Sequence, residues 1–242
     1  MKIKPKTILD FDVINSIDIY YEPMQISGDD KSRRRALAEY LIDAFLFFFA
    51  TFEVHTDHKG VLTQQLYAQL LADKISEAVT KVTGIDSYMS DHIKELSKQV
   101  VATTFEKTAN SDGTVPPRPS DFPFTPSPSD GLVNSDNEPK EEPRSDYWLS
   151  YRRAEDIAKS EANTFLNYTD YLDAKESGKT KKTWLTMLDD KVRGTHTEVE
   201  GRTIDIDESF VVGNSLMKFP HDLSESPDPK EVINCRCSVE YK

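Results

Sequence analysis

Eight prolines lie between residues 110 and 144 and divide the chain into two parts. Proline has no backbone N–H to donate, and a stretch with so few aliphatic residues cannot bury enough apolar surface to offset its ordering entropy. We therefore predict a linker over residues 110–146. It separates an N-terminal region, residues 1–109, from a C-terminal domain, residues 147–242.

The N-terminal region has the spacing of helices. From Arg33 onward apolar residues recur every three to four positions, and four phenylalanines near residue 48 widen the apolar stripe almost all round. A helix this apolar is expected to be buried in a bundle or against a partner subunit. Two further helices are predicted over residues 62–82 and 87–107, with Gly84 ending the first of them.

The C-terminal domain is predicted to combine one long helix with a small antiparallel sheet, which makes the fold class α+β. Ser150 can cap a helix that runs to about Ala174. Glu161 falls on the apolar face of this helix, and a buried carboxylate there must have a partner. Period-two patterns predict strands over residues 181–188, 202–206 and 234–241.

Charge and hydropathy narrow the class of protein. The 242-residue chain carries a formal charge of −12, which disfavours a dedicated nucleic-acid binder with a broad basic face. Lys179, Lys181 and Lys182 form a compact basic run that could meet phosphate or simply be a solvated face. No apolar segment reaches the roughly 20 residues of a membrane span. The first residues also lack the pattern of a signal peptide, so the chain is expected to begin in the cytoplasm.

Two cysteines and a histidine are the candidate metal ligands. Cys235 and Cys237 share one face of the predicted last strand, and with His196 they offer the thiolate and imidazole groups that zinc prefers. The fourth ligand would be His221 or Asp222. Alternatively, the two thiols pack as small apolar groups and no metal is bound. No other cofactor is predicted.

A polar network is predicted around the same strand. Glu161, Asp189, Arg193 and His196 are its expected members, because the arginine fork suits a buried carboxylate. The alternative is an acid/base cluster of Asp189, Asp190, Arg193 and His196, since carboxylates and imidazole at close spacing can relay protons.

The order of motifs in residues 147–242 resembles one known family. A helix with the pattern Arg-Ala-x-x-Ile-Ala-x-x-Glu, from Arg153 to Glu161, is followed by a Lys-Lys-x-Trp strand and then by Asp, Arg and His. A glycine-centred turn, an acidic strand and the sequence Asn-Cys-Arg-Cys complete the series. This series resembles the minor head proteins of tailed bacteriophages, of the Mu F-type head-morphogenesis family.

The resemblance implies a structural, non-enzymatic virion component, of a phage or a prophage, that lies inside the head near the portal. It implies action in head morphogenesis and in DNA packaging or ejection, after assembly in the host cytoplasm. The expected partners are the portal protein and the major capsid or scaffold protein, with weak contact to packaged DNA and none to a membrane. The alternative is a metal-dependent hydrolase or an injected effector that carries this module.

Overall fold

The computed structural model describes residues 17, 19–56, 64–84, 89–109 and 145–242. The predicted linker lies outside these residues, except for Ser145 and Asp146 at its end. Within the described residues, no helix is long and apolar enough to cross a membrane.

The three helices predicted for the N-terminal region are present as α1 (Gly28–Thr56), α2 (Gln64–Thr83) and α3 (Ser90–Ala109), and residues 17 and 19–21 are also helical. The first begins five residues before Arg33, because the Ser27 hydroxyl accepts a hydrogen bond from the backbone N–H of Asp30 at 3.1 Å. Gly84 follows α2 with a φ of 73°, a left-handed conformation that glycine adopts without steric cost.

The C-terminal region opens with a short 3-10 helix (Ser145–Leu149) and the long helix α4 (Tyr151–Glu176). Ser150 caps α4, as predicted, by accepting a hydrogen bond from the backbone N–H of Arg153. The chain leaves the helix at Gly178, which has a φ of 72°. These caps place both ends of α4 within two residues of the prediction.

The N-terminal helices pack against α4 and share one apolar core with it. Phe45 and Phe48 of α1, Leu71 of α2 and Leu96 of α3 lie in the same buried cluster as Phe165 of α4. The pattern of residues that carries the family resemblance faces this junction. Its alanines are buried, and the Arg153 guanidinium donates to Thr104 Oγ1 at 2.7 Å and to the carbonyl oxygen of Val100 at 3.3 Å.

One arginine of α1 makes several of the polar contacts at this junction. Arg34 is 1% exposed and donates to the side-chain oxygens of Asn163, Asn167 and Asp170 on α4, at 3.0–3.1 Å. The side-chain oxygens of the two asparagines accept from Arg34, and their amide N–H groups donate to the segment that contains the cysteines. Asn163 donates to the carbonyl oxygen of Cys235 at 3.2 Å, and Asn167 donates to that of Cys237 at 3.4 Å. Hydrogen bonds therefore connect α1 to the cysteine segment through α4.

The remaining residues form two small antiparallel sheets, which confirms the α+β fold class. One has the strand order β2 (Thr203–Asp205), β1 (Lys181–Leu185), β5 (Ser238–Tyr241). The other is a hairpin of β3 (Phe210–Val212) and β4 (Ser215–Met217). Two short helices, α5 (Gly194–Thr197) and α6 (Pro229–Val232), lie between strands in the chain.

The strands depart from prediction at their ends. The first was expected to reach residue 188 but ends at Leu185. The last was expected to begin at residue 234 but begins at Ser238. Asn234 has a φ of 55° and turns the chain after α6, so the cysteines precede the strand instead of belonging to it. The β3–β4 hairpin was not predicted.

The basic run of Lys179, Lys181 and Lys182 is not a uniformly solvated face. The Lys182 side chain is buried and donates to the carbonyl oxygen of Ile206 at 2.7 Å. Lys181 pairs with Asp205 across the β1–β2 ladder. Of the three lysines, therefore, Lys182 does not present its ammonium group to a phosphate at the surface.

Candidate functional site

The structure brings together three of the residues that the sequence singled out. His196 Nδ1 lies 3.3 Å from Cys237 Sγ and 3.6 Å from Cys235 Sγ, and all three atoms lie within 4.8 Å of one another. The side chains are buried, with 1–3% of each residue exposed. The cysteines are free thiols and not a disulfide.

Two short turns hold these side chains in place. His196 lies on α5, whose four residues follow an extended Arg193. The cysteines follow α6, which starts with Asp228 as its cap and Pro229 in its first turn, a favourable pair at a helix N-terminus. The backbone N–H of Cys235 donates to the carbonyl oxygen of Val232 at 3.1 Å, and this bond closes the turn at Asn234.

Glu231 holds the far side of the histidine ring. Its Oε2 accepts from His196 Nε2 at 3.1 Å and from the Thr195 hydroxyl at 2.7 Å, and the residue is only 2% exposed. Glu231 was not predicted as a member of the site. Its position four residues before Cys235, in the first turn of α6, is the signal that could have suggested it, but a surface acid at a helix N-terminus explains that position equally well.

The predicted fourth metal ligands lie elsewhere, which corrects that expectation. His221 Nε2 is 2.8 Å from the carbonyl oxygen of Cys235, and its Nδ1 is 2.9 Å from the Thr164 hydroxyl, so both ring nitrogens are occupied. Asp222 accepts hydrogen bonds from the backbone N–H groups of Lys218 and Ser224 and stabilises a turn.

The four residues of the predicted polar network are separated in the structure. Glu161 pairs with His92 of α3, with 2.8 Å between His92 Nε2 and Glu161 Oε2, and not with Arg193 or His196. Arg193 donates to the carbonyl oxygen of Ile233. Asp189 accepts two hydrogen bonds from Arg236, at 2.7 and 2.9 Å. The sequence separation between α3 and α4 hid the partner of Glu161, although the prediction that this carboxylate is buried and paired is correct.

The contacts within the site shift the pKa values of its members. Burial lowers the pKa of His196, but the hydrogen bond to Cys235 and the charge of Glu231 raise it, and the net pKa is above the usual value. Burial raises the pKa of Cys235, but its contacts with Cys237 and His196 bring the pKa well below the usual value. The pKa of Cys237 is raised by the hydrogen bond with Cys235 and by burial.

This arrangement suits two kinds of chemistry. Two sulfurs and one imidazole nitrogen at these distances can hold a soft divalent cation. The same groups can share a proton between a thiol and the ring, which lowers the pKa of one thiol. Burial of all three side chains restricts their access to a dissolved substrate.

Comparison with known proteins identifies the region that contains this site. Residues 129–240 match the family described as Phage Mu protein F like protein. This region is Mu F-like. The resemblance to the Mu F-type family that the sequence motifs carry is confirmed, and the chain is related to phage head proteins. The Mu F-like region includes α4, the His-Cys-Cys site and both sheets except for Tyr241 at the end of β5.

A curated relative of part of this chain carries the name of an enzyme. The chain is 37% identical over 94 residues to "NAD(+)--arginine ADP-ribosyltransferase EFV" of Enterococcus faecalis (strain ATCC 700802 / V583). The match covers 37% of this chain but only 19% of that protein, so the chain spans about a fifth of the relative's length. No solved structure matches the chain.

Proposed function

We propose that the chain is a non-enzymatic minor head protein of a tailed phage. It lies inside the capsid near the portal and acts in head morphogenesis and in DNA packaging or ejection. The observation that carries this proposal is the match of residues 129–240 to the Mu F-like family. The step from a head-related protein to this position and role rests on family analogy, because a fold hosts many functions.

Protein partners fit the chain better than DNA does. The formal charge of −12 gives the chain no general attraction for phosphate, so its contact with packaged DNA is weak. The proposed partners are the portal protein and the major capsid or scaffold protein.

Burial favours the structural role over the enzymatic alternatives. A metal-dependent hydrolase must keep an open metal position that substrate reaches. Here the exposed fractions of His196, Cys235 and Cys237 are 1–3%, and the buried Glu161 is occupied by His92. The transferase-named relative shares only a fifth of its length with this chain, which is too little to transfer its named activity.

The head role is tested by deleting the gene from the phage that encodes the chain. We expect heads to assemble without it, but infectious particles to be fewer or their DNA to be retained poorly. Complementation with the wild-type gene in trans is the matched control. Mass spectrometry of purified wild-type virions should detect the chain, and virions that lack it would contradict the proposal.

The effector alternative is tested with the purified chain. We expect incubation with NAD⁺ and an arginine-bearing acceptor protein to release nicotinamide no faster than buffer does. Release that is abolished by a point substitution in the chain would establish an enzyme and contradict the non-enzymatic role.

A further inference from the structure

We propose that His196, Cys235 and Cys237 bind one zinc ion through Nδ1 and the two Sγ atoms. The inference does not depend on the proposed head role, since the geometry of the described residues carries it. The zinc ion would have a structural role and would join α5 to the segment that enters β5.

The spacing of the three atoms is that of ligands around one ion. Zinc–sulfur bonds of about 2.3 Å and zinc–nitrogen bonds of about 2.0 Å in a tetrahedron place nitrogen and sulfur about 3.5 Å apart. The two nitrogen–sulfur distances in the site are 3.3 and 3.6 Å. The side chains therefore need little movement to take up the ion.

Glu231 prepares the histidine for this role. A carboxylate that accepts the Nε2 proton leaves the lone pair on Nδ1, and Nδ1 is the atom that faces both sulfurs. Histidine ligands of metals commonly donate their other ring N–H to a carboxylate, which fixes the tautomer and the orientation of the ring. Glu231 is buried and also held by Thr195, so the ring cannot easily turn.

A second observation points to charged sulfur at the site. The Trp184 side chain is fully buried, and its indole N–H has no hydrogen-bond partner among the described residues. Trp184 lies in the same small buried cluster as Cys235 and Cys237. A neutral thiol is a weak acceptor, whereas a zinc-bound thiolate would satisfy the buried N–H.

The surrounding apolar core is small, and a crosslink would stabilise it. Cys235 and Cys237 belong to a cluster of eight buried residues that is separate from the helical core. Small cores of this kind are commonly reinforced by a metal or a disulfide. The two cysteines are separated by one residue, and a bond between them would close almost no loop, so a metal that also includes His196 is the more effective crosslink.

The fourth coordination position faces a small cavity. The three ligand residues line it together with Met187, Lys191, Val192, Arg193, Asn234 and Arg236. None of these six side chains is a usual zinc ligand, so we assign the fourth position to a solvent molecule. The role remains structural because the ligands are only 1–3% exposed, which restricts the entry of a larger substrate. Thiolate and imidazole donors favour zinc over magnesium or calcium, which take oxygen ligands.

The test uses the full chain, purified without an affinity tag from zinc-supplemented medium under reducing conditions. Elemental analysis should find about one zinc per chain. A chelator strong enough to remove it should lower the melting temperature, and added zinc should restore it. Replacement by cobalt should give the strong visible bands of a tetrahedral site and thiolate-to-cobalt charge transfer.

Four variants locate the ion. Cys235→Ser and Cys237→Ser should each lose the thiolate-to-cobalt band in part and bind zinc weakly. Glu231→Gln should retain the site with about 10–100-fold lower affinity, as is usual for residues that support a metal ligand. His221→Gln is the matched control: a buried histidine near Cys235 that is not a ligand. This variant should keep about one zinc per chain even if it melts earlier.

The wild-type chain decides the question even if the variants fold poorly. Reduced wild-type protein that contains no metal, and that binds neither zinc nor cobalt on addition, would overturn the proposal. Iron or copper in place of zinc would overturn the assignment of the ion. A variant His221→Gln that loses zinc while remaining folded would overturn the assignment of the ligands.

Discussion

His92 of α3 and Glu161 of α4 lie 2.8 Å apart between Nε2 and Oε2, and they join the N-terminal helices to the Mu F-like region. Glu161 is 1% exposed, so its carboxylate depends on this partner. The pair belongs to the same junction as Arg34 and Arg153, which reach across it from opposite sides. The N-terminal helices are therefore part of the structural environment of α4.

Limited proteolysis tests this junction. The proline content of residues 110–144 predicts that cleavage occurs there first. Because α1 and α3 pack on α4, we expect the two fragments to remain associated and to elute together in size-exclusion chromatography. Fragments that separate without denaturant would show that the helices do not hold the junction.

Arg34→Ala should be strongly destabilising. It removes the donor for Asn163, Asn167 and Asp170, and breaking a buried charged network of this kind costs about 3–5 kcal/mol. Arg35→Ala is the control, since the pair of Arg35 with Glu22 lies at the surface and such pairs contribute about 1 kcal/mol or less. Urea denaturation of both variants measures the difference. Equal losses would contradict the role of Arg34.

Lys182 should make the free energy of unfolding rise with pH in the alkaline range. Burial lowers its pKa to about 8, below the value of about 10.4 for an exposed lysine. Between these two pH values the unfolded state binds more protons than the folded state, so stability increases with pH. Below pH 8 both states are protonated, and this contribution is constant.

The pH dependence is measured by thermal or urea denaturation from pH 7 to 10. Lys182→Met should lose the rise, and the neighbouring Lys181→Met should retain it, because the ammonium of Lys181 is exposed and its pKa is raised by Asp205. A rise of the same size in both variants would assign it to other groups.

Gly213→Ala tests the support of the candidate site. Gly213 has a φ of 59°, and a Cβ atom there would lie 2.8 Å from Glu231 Oε1. We expect backbone strain of about 1–2 kcal/mol together with displacement of the carboxylate that holds His196. Gly201→Ala is the matched control: its φ is 68°, but nothing lies within 4 Å of the added atom.

Denaturation should therefore show a larger loss for Gly213→Ala than for Gly201→Ala. The NMR signals of the His196 ring should shift in the first variant alone. Unchanged His196 signals in Gly213→Ala would show that Glu231 adapts without moving the ring.

Local patterns were sufficient to predict most helices. Ser150 begins α4 and Gly84 ends α2 where expected, because the effect of a cap depends on residues only a few positions away. The short strands were harder to predict. Asn234 adopts a left-handed conformation that only its tertiary setting selects, so the last strand begins four residues late.

The site was predictable only in part, for a related reason. The chemistry of His196, Cys235 and Cys237 is apparent from residue type, and the structure brings the three together. The partners of Glu161 and of His196 are 69 and 35 residues away in the chain, and neither His92 nor Glu231 has a local motif. Contacts of that separation follow from the packing of whole elements.

The asparagines of α4 limit which N-terminal halves can be joined to this C-terminal half by gene recombination. Asn163 and Asn167 each accept from Arg34 on one side and donate to a cysteine carbonyl on the other. A recombinant gene that kept the C-terminal half and received a foreign N-terminal half would leave both amide oxygens without a donor. Such a chimaera would need a new arginine-like donor at that point, so the two halves are expected to be inherited together.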